Sequence, residues 1–165
     1  MKHVSHWIGG KPWAGEAASR GDIYNPATGQ VSGTVDFATA AEVDAAVQSA
    51  AQAWPGWAET SLTKRADVLF AFRELIKQHR SELAALISSE HGKVASDAAG
   101  EVARGQEVVE FACGIPHLLK GSYSENVSTQ VDAYSIRQPL GVVAGITPFN
   151  FPAMVPMWID RKSVV

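Results

Sequence analysis

Hydrophobic and polar positions change period twice along this chain, and the changes mark out its elements. The first 37 residues carry short alternations broken by turn signals. His6 to Ile8 and Lys11 to Trp13 flank Gly9-Gly10, a two-residue turn pair that predicts a β-hairpin. Asn25-Pro-Ala-Thr-Gly29 is a second turn cluster, and Gln30 to Phe37 alternates through Val31, Gly33, Val35 and Phe37 as a half-buried strand does. From Thr39 the period becomes helical. Thr39-Ala-Ala-Glu42 has the spacing of a capping box, in which the threonine hydroxyl accepts from the Glu42 N–H and the glutamate reaches back. Behind it Val43, Ala46, Val47, Ala50 and Trp54 share one face, and Pro55-Gly56 is expected to stop the helix. A second helix is predicted from Leu62 to His79, with Leu62, Ala66, Leu69, Phe70 and Ile76 inward. A third starts at Ser81, carries Leu83, Leu86 and Ile87, and ends at His91-Gly92, where glycine can take the left-handed position past the last turn. A fourth runs from Ser96 to Leu118, with Val102, Val109, Ala112 and Cys113 on its apolar face.

Alternation then returns. Asn126 to Gln138 carries Val127, Thr129 and Val131, then Tyr134, Ile136 and Gln138, and reads either as a hairpin or as one long kinked strand. Its polar and apolar faces suit an arm lying on another domain or subunit. After Pro139-Leu140 the run Gly141-Val-Val-Ala-Gly-Ile146 is apolar throughout, the pattern of a strand buried on both faces in a parallel sheet. Thr147-Pro-Phe-Asn-Phe-Pro152 is the turn that ends it, and Ala153 to Trp158 would begin a crossover helix. The fold class is therefore α/β. Four consecutive blocks are expected: strands and four helices over 1–125, bridging strands over 126–138, the first parallel strand and its turn over 139–158, and a tail over 159–165.

Composition narrows the function. With 46% hydrophobic and 19% charged residues, the 165-residue chain fits an ordinary globular protein. Its net charge is −3 and its 14 Lys and Arg are scattered, so nucleic-acid binding has no electrostatic footprint here. One cysteine, Cys113, excludes an intramolecular disulfide and fits a reducing compartment. Met1 to Trp13 has neither the apolar core of a secretory signal nor the arginines of a transit peptide. No apolar run approaches the ~18 residues of a membrane span, so a cytoplasmic location is the expectation. The five histidines are dispersed, and no metal is inferred from them.

Candidate chemistry concentrates in the turn 147–152. In an open α/β sheet, ligands bind beyond the carboxyl ends of the strands, which is where this turn falls. Pro148 and Pro152 restrict it, and Asn150 offers an uncharged amide donor suited to an oxyanion site. Asn150 can equally cap the next helix through an Asx-type turn. No Gly-x-Gly-x-x-Gly is present. Cys113 lies on an apolar helix face, where a cysteine is usually a small buried hydrophobe.

Three ordered motifs carry a family resemblance: Asn25-Pro-Ala-Thr-Gly29, Glu90-His-Gly-Lys93 and Ile146-Thr-Pro-Phe-Asn-Phe-Pro152 resemble segments of the aldehyde dehydrogenase superfamily. A longer match, through Glu101-Val-Ala-Arg-Gly105, Val108 to Gly121 and Tyr134 to Trp158, is similar to its coenzyme-A-acylating methylmalonate-semialdehyde branch. The resemblance implies an N-terminal part of that fold, ending just after the first strand of the NAD-binding sheet. It implies an Asn150 amide that donates to the oxyanion formed on the aldehyde. Ile146, Thr147, Pro148 and Phe149 would shape the NAD site, and Arg104 would receive the substrate carboxylate as a guanidinium fork. NAD as hydride acceptor, coenzyme A as acyl acceptor and a homo-oligomer built as a dimer of dimers are implied likewise.

Two departures matter. Ile159-Asp-Arg-Lys-Ser-Val-Val165 puts charges where the family's apolar helix would continue, so 159–165 is expected to lie outside the family pattern. The family's nucleophilic cysteine and general base lie further downstream. These residues alone are therefore expected to be inactive, with marginal folding and an unpaired strand edge prone to aggregation. An ordinary hydrolytic aldehyde dehydrogenase stands as one alternative. A non-catalytic assembly fragment, pairing through 126–138, is the other.

Overall fold

The computed structural model describes residues 1–15 and 17–164, with side chains as far as residue 159. Five short strands come first: β1 (Lys2–Val4), β2 (Trp7–Ile8), β3 (Lys11–Pro12), β4 (Ser19–Tyr24) and β5 (Val31–Phe37). The helices α1 (Ala40–Ala58), α2 (Leu62–Gln78), α3 (Arg80–His91), α4 (Ala95–Ala112) and α5 (Ile115–Leu118) follow, then β6 (Tyr123–Ser128), β7 (Val131–Tyr134) and α6 (Met154–Val164). By contact these fall into two units, 1–59 with 81–101 and 60–80 with 102 onward.

In the first unit β5 is the central strand of a three-stranded sheet, with β1 parallel on one side and β4 antiparallel on the other. Gly33 makes the β1 pairing possible: a Cβ there would stand 2.5 Å from the Lys2 carbonyl oxygen. The Asn25 turn forms as expected. Its Oδ1 accepts from the Ala27 N–H at 2.9 Å, and Gly29, at φ +71°, donates its N–H to the Asn25 carbonyl. Gly9 and Gly10 both have positive φ, as the tight β2–β3 hairpin requires.

The capping box is also present. Thr39 Oγ1 accepts from the Glu42 N–H at 3.2 Å, and Glu42 Oε2 accepts from the Thr39 N–H at 2.7 Å. Glu42 does more than cap, because its Oε1 also accepts from the Trp13 indole N–H at 3.1 Å and ties the hairpin to the start of α1. The backbone and hydroxyl bonds from Thr39 hold its carboxyl below the ordinary value against the opposing effect of burial. Two expectations for α1 fail. Pro55-Gly56 do not stop it: the helix continues to Ala58, since a proline near the end removes a single N–H while its own carbonyl still accepts from Glu59. Val43, Val47 and Trp54 are exposed, because the side chain drawn inward at the start of the helix is Glu42. Helix α3 closes at Gly92, at φ +83°, as expected, but Leu86 is exposed and Ala84 and Ile87 are the buried positions.

One buried carboxylate gives this unit a pH dependence. Asp36 accepts from Arg20 Nε at 2.9 Å and lies 3.1 Å from His3 Nε2. Burial alone would raise its pKa. Hydrogen bonds from Arg20 and Ser5 and the charges of His3 and Arg20 outweigh that and hold the carboxyl below 3.8. A depressed carboxylate contributes stability above its unfolded-state pKa and loses it as pH falls through the folded-state value. Urea midpoints of the wild type are therefore expected to drop below about pH 4, and the Asp36→Asn variant to be less stable at neutral pH with a flatter acid limb. Parallel acid limbs for the two proteins would refute this.

In the second unit, α2 is capped by Ser61 and buries Ala66, Leu69 and Ile76. Ala66 and Leu69 pack with Ala112, Cys113 and Ile115, and Leu119 covers the cluster. Phe70, expected inside, is exposed, one residue round the helix from Leu69. It lines an open cavity of about 320 Å³ with Arg73, Glu74, Glu110 and Cys113. The fourth predicted helix is broken in two. α4 ends at Ala112, and α5 restarts after Gly114, because Pro116 has no N–H to continue the helical ladder. A hairpin forms, but it is displaced from the expected 126–138: β6 pairs with β7, Tyr123 opposite Tyr134, turning at Gln130 (φ +62°) and exposed throughout, while 135–138 form no strand.

The expected strand Val142 to Ile146 is not formed. Among the described residues no strand pairs with it, so the run has no ladder, and Val142, Val143 and Ile146 are exposed. A sequence buried on both faces needs a neighbour on each side, and here it has neither.

Candidate functional site

The site residues lie in the second unit, and a helix-to-helix contact brings their two carriers together. Arg104 sits exposed on α4, and the next residue, Gly105, is buried against α6. A Cβ on Gly105 would lie 2.4 Å from Met157 Sδ and 3.5 Å from Met154 Cα, so the two helices meet backbone to side chain at this point. Met154 and Met157 are both buried. The turn 147–152 runs directly into α6, where the Val155 and Met157 N–H groups bond to the Phe151 and Ala153 carbonyls, each at 3.3 Å. Asn150 thus rides on the element that packs beside Arg104, although 46 positions separate them in the sequence.

Asn150 is exposed, and its side chain makes no hydrogen bond among the described residues. Among the described residues the helix-capping alternative is therefore not realised. Ile146 is 95% exposed, Phe149 63% exposed, and Thr147 and Pro148 are exposed between them. No ladder runs through this stretch, and its apolar side chains lie exposed together.

Cys113 has a different environment. It is buried in the core cluster, and its thiol donates to the Val109 carbonyl at 3.4 Å. Burial is the main cause raising its pKa, and Glu110 adds to it against the opposing charge of Arg73. A thiol held protonated in an apolar cluster is a poor nucleophile. Glu110 is engaged elsewhere, its carboxyl held low first by Gln106 and then by Arg73. His91 closes α3, and no set of three metal-ligating side chains occurs among the described residues. Likewise, no described helix is long and apolar enough to cross a membrane.

Comparison with known proteins decides the family. The model of the aldehyde dehydrogenase family matches residues 13–160. This chain belongs to the aldehyde dehydrogenase family. Among the relatives of this aldehyde dehydrogenase chain, a malonate-semialdehyde dehydrogenase of Pseudomonas aeruginosa is 48% identical over 164 residues, which is 99% of this chain and 33% of that protein. A mitochondrial, acylating methylmalonate-semialdehyde/malonate-semialdehyde dehydrogenase of Homo sapiens is 47% identical over 98% of this chain and 30% of its own length. The chain thus spans about a third of the curated relatives it matches.

Solved structures agree on the fold. A methylmalonate-semialdehyde dehydrogenase from Oceanimonas doudoroffii superposes with a TM-score of 0.95 at 47% identity, over 99% of this chain and 33% of that one. A similar protein from Sinorhizobium meliloti 1021, crystallised with NAD, gives 0.95 at 48% identity with the same coverage. The architecture is the N-terminal part of the aldehyde dehydrogenase fold, as expected from sequence. The match to the Pseudomonas relative takes in 164 of the 165 residues, and the family model's match ends at residue 160. From residue 160 the side chains of the tail lie outside the described residues.

Gly105, Met154 and Met157 were not legible as site residues. Inside a helix a lone glycine reads only as lost propensity, and a Met-rich stretch reads as core.

Proposed function

We propose that, within a protein of its relatives' length, these residues form part of the active site of an NAD-dependent, coenzyme-A-acylating dehydrogenase of malonate or methylmalonate semialdehyde. The observation that carries this is the placement of Arg104. An exposed arginine joined directly to the residue against which the Asn150-bearing helix packs suits a small aldehyde bearing a carboxylate, and a neutral aldehyde would leave it without a role. The identity to semialdehyde dehydrogenases over nearly the whole chain supports the same substrate class.

Each residue then has a task. Arg104 holds the carboxylate through two parallel N–H bonds. The Asn150 amide donates to the oxygen on which negative charge develops when a thiolate adds to the aldehyde carbon. Ile146 and Phe149 offer apolar surface, and Thr147 and Pro148 main-chain atoms, to a planar ring; these features fit the nicotinamide end of NAD, which is bound in the Sinorhizobium relative. NAD supplies the hydride acceptor. Cys113 is not the nucleophile in this reading, which assigns that thiolate and the general base to residues beyond these 165. The human relative's name, acylating, supports coenzyme A as the acyl acceptor. The exposed β6–β7 hairpin suits an arm pairing with another subunit in a dimer of dimers.

The test is NADH formation from malonate semialdehyde with and without coenzyme A, using the protein that carries these residues at family length. NADH formation dependent on coenzyme A, with an acyl thioester as product, is expected. Free acid formed at the same rate without it would favour the hydrolytic alternative, and no NADH in either case would sink the proposal.

A further inference from the structure

We infer that Gly105 is a positioning residue: its missing side chain sets the separation of Arg104 from Asn150, and so the length of semialdehyde the site accepts. This rests on the roles proposed above for those two residues. The geometry supplies the rest. Arg104 is joined to Gly105 by one peptide bond, and Gly105 is a residue of α4 against which α6 packs. Asn150 stands four residues before Met154, and the chain between them is hydrogen-bonded into the first turn of α6. Any displacement of α6 away from α4 therefore carries the Asn150 turn with it.

A side chain at position 105 forces such a displacement. A methyl there would sit 2.4 Å from Met157 Sδ, where ordinary contact between heavy atoms is ~3.5–4 Å. The sulfur belongs to a flexible side chain, but one only 8% exposed and so with little room to give, and Met154 Cα already stands in van der Waals contact at 3.5 Å. The contact must open by roughly 1 Å. One added methylene lengthens a substrate by about the same amount, since a C–C bond is ~1.5 Å long. The α4–α6 spacing is thus matched to a particular distance between the carboxylate and the aldehyde carbon of the substrate.

The Gly105→Ala variant tests this in the family-length protein, read as the ratio of kcat/KM for malonate semialdehyde to that for succinate semialdehyde, which is one methylene longer. Discriminating one methylene is typically worth about 10- to 200-fold, and the variant is expected to lower the ratio by at least about tenfold. The double variant Gly105→Ala/Met157→Ala, which vacates the space the methyl enters, is expected to restore it. A purely structural role would lower Tm and leave the ratio alone. A folded Gly105→Ala protein with unchanged ratio overturns the inference, as does a double variant that is unselective or insoluble. If the single variant is insoluble, a soluble double variant with the wild-type ratio supports it. A wild type that prefers propanal to malonate semialdehyde would instead sink the proposed function, so the two failures are distinguishable.

Discussion

Replacing Asn150 by alanine is expected to cut turnover of malonate semialdehyde by about 10²–10³-fold in the family-length protein, with KM changed much less. The asymmetry follows from when the interaction forms. The ground-state aldehyde oxygen carries little charge, whereas the oxygen of the tetrahedral adduct carries a full one. A donor aimed at it stabilises the transition state more than the substrate complex, so its removal appears in kcat. The structure makes this a clean experiment. The Asn150 side chain is exposed and holds no hydrogen bond among the described residues, so truncating it leaves no buried group unpaired. Aspartate at the same position should be at least as damaging, because it offers no donor and places a negative charge beside the developing one. Single-turnover kinetics would separate the outcomes: a variant with normal hydride transfer removes Asn150 from the chemistry.

Replacing Arg104 by leucine is expected to lower kcat/KM for malonate semialdehyde by about 10- to 100-fold, mainly through KM. Hydrogen bonds to charged groups are worth about 1.5–3 kcal/mol, and each 1.4 kcal/mol is tenfold. The carboxylate is held alike in substrate and transition state, so this is uniform binding and leaves kcat nearly unchanged. Propanal, without a carboxylate, should respond far less to the substitution. Lysine would recover only part of the loss, since a point charge cannot replace the two-pronged guanidinium geometry. Equal losses for the charged and neutral aldehydes would show that Arg104 supports the helix and does not bind substrate.

The two residues differ in how they could be found. Asn150 lies in a turn bounded by two prolines at the end of an apolar run, a setting visible in the sequence. Arg104 has no such local mark, and one arginine on a helix face looks like any other solvated charge until its neighbour is seen to receive α6. The run Val142 to Ile146 went wrong in the opposite sense. Its composition suits burial on both faces, but composition cannot supply the strands that would pair with it. Phe70 and the apolar positions of α1 show the same limit: periodicity identifies a face, and only packing decides whether the face is covered.

What the sequence determined by itself was local. Gly9-Gly10, the Asn25 turn, the Thr39–Glu42 capping box and the Gly92 helix end each formed, because each depends on backbone geometry and hydrogen bonds within a few residues. The tertiary structure decided what depends on distant partners. It made Glu42 a buried link to Trp13, assigned Cys113 to the core, and set Gly105 against Met154 and Met157. That last contact gives the candidate site its spacing, and it does so through an atom that is absent, which a pattern of side chains has no means to record.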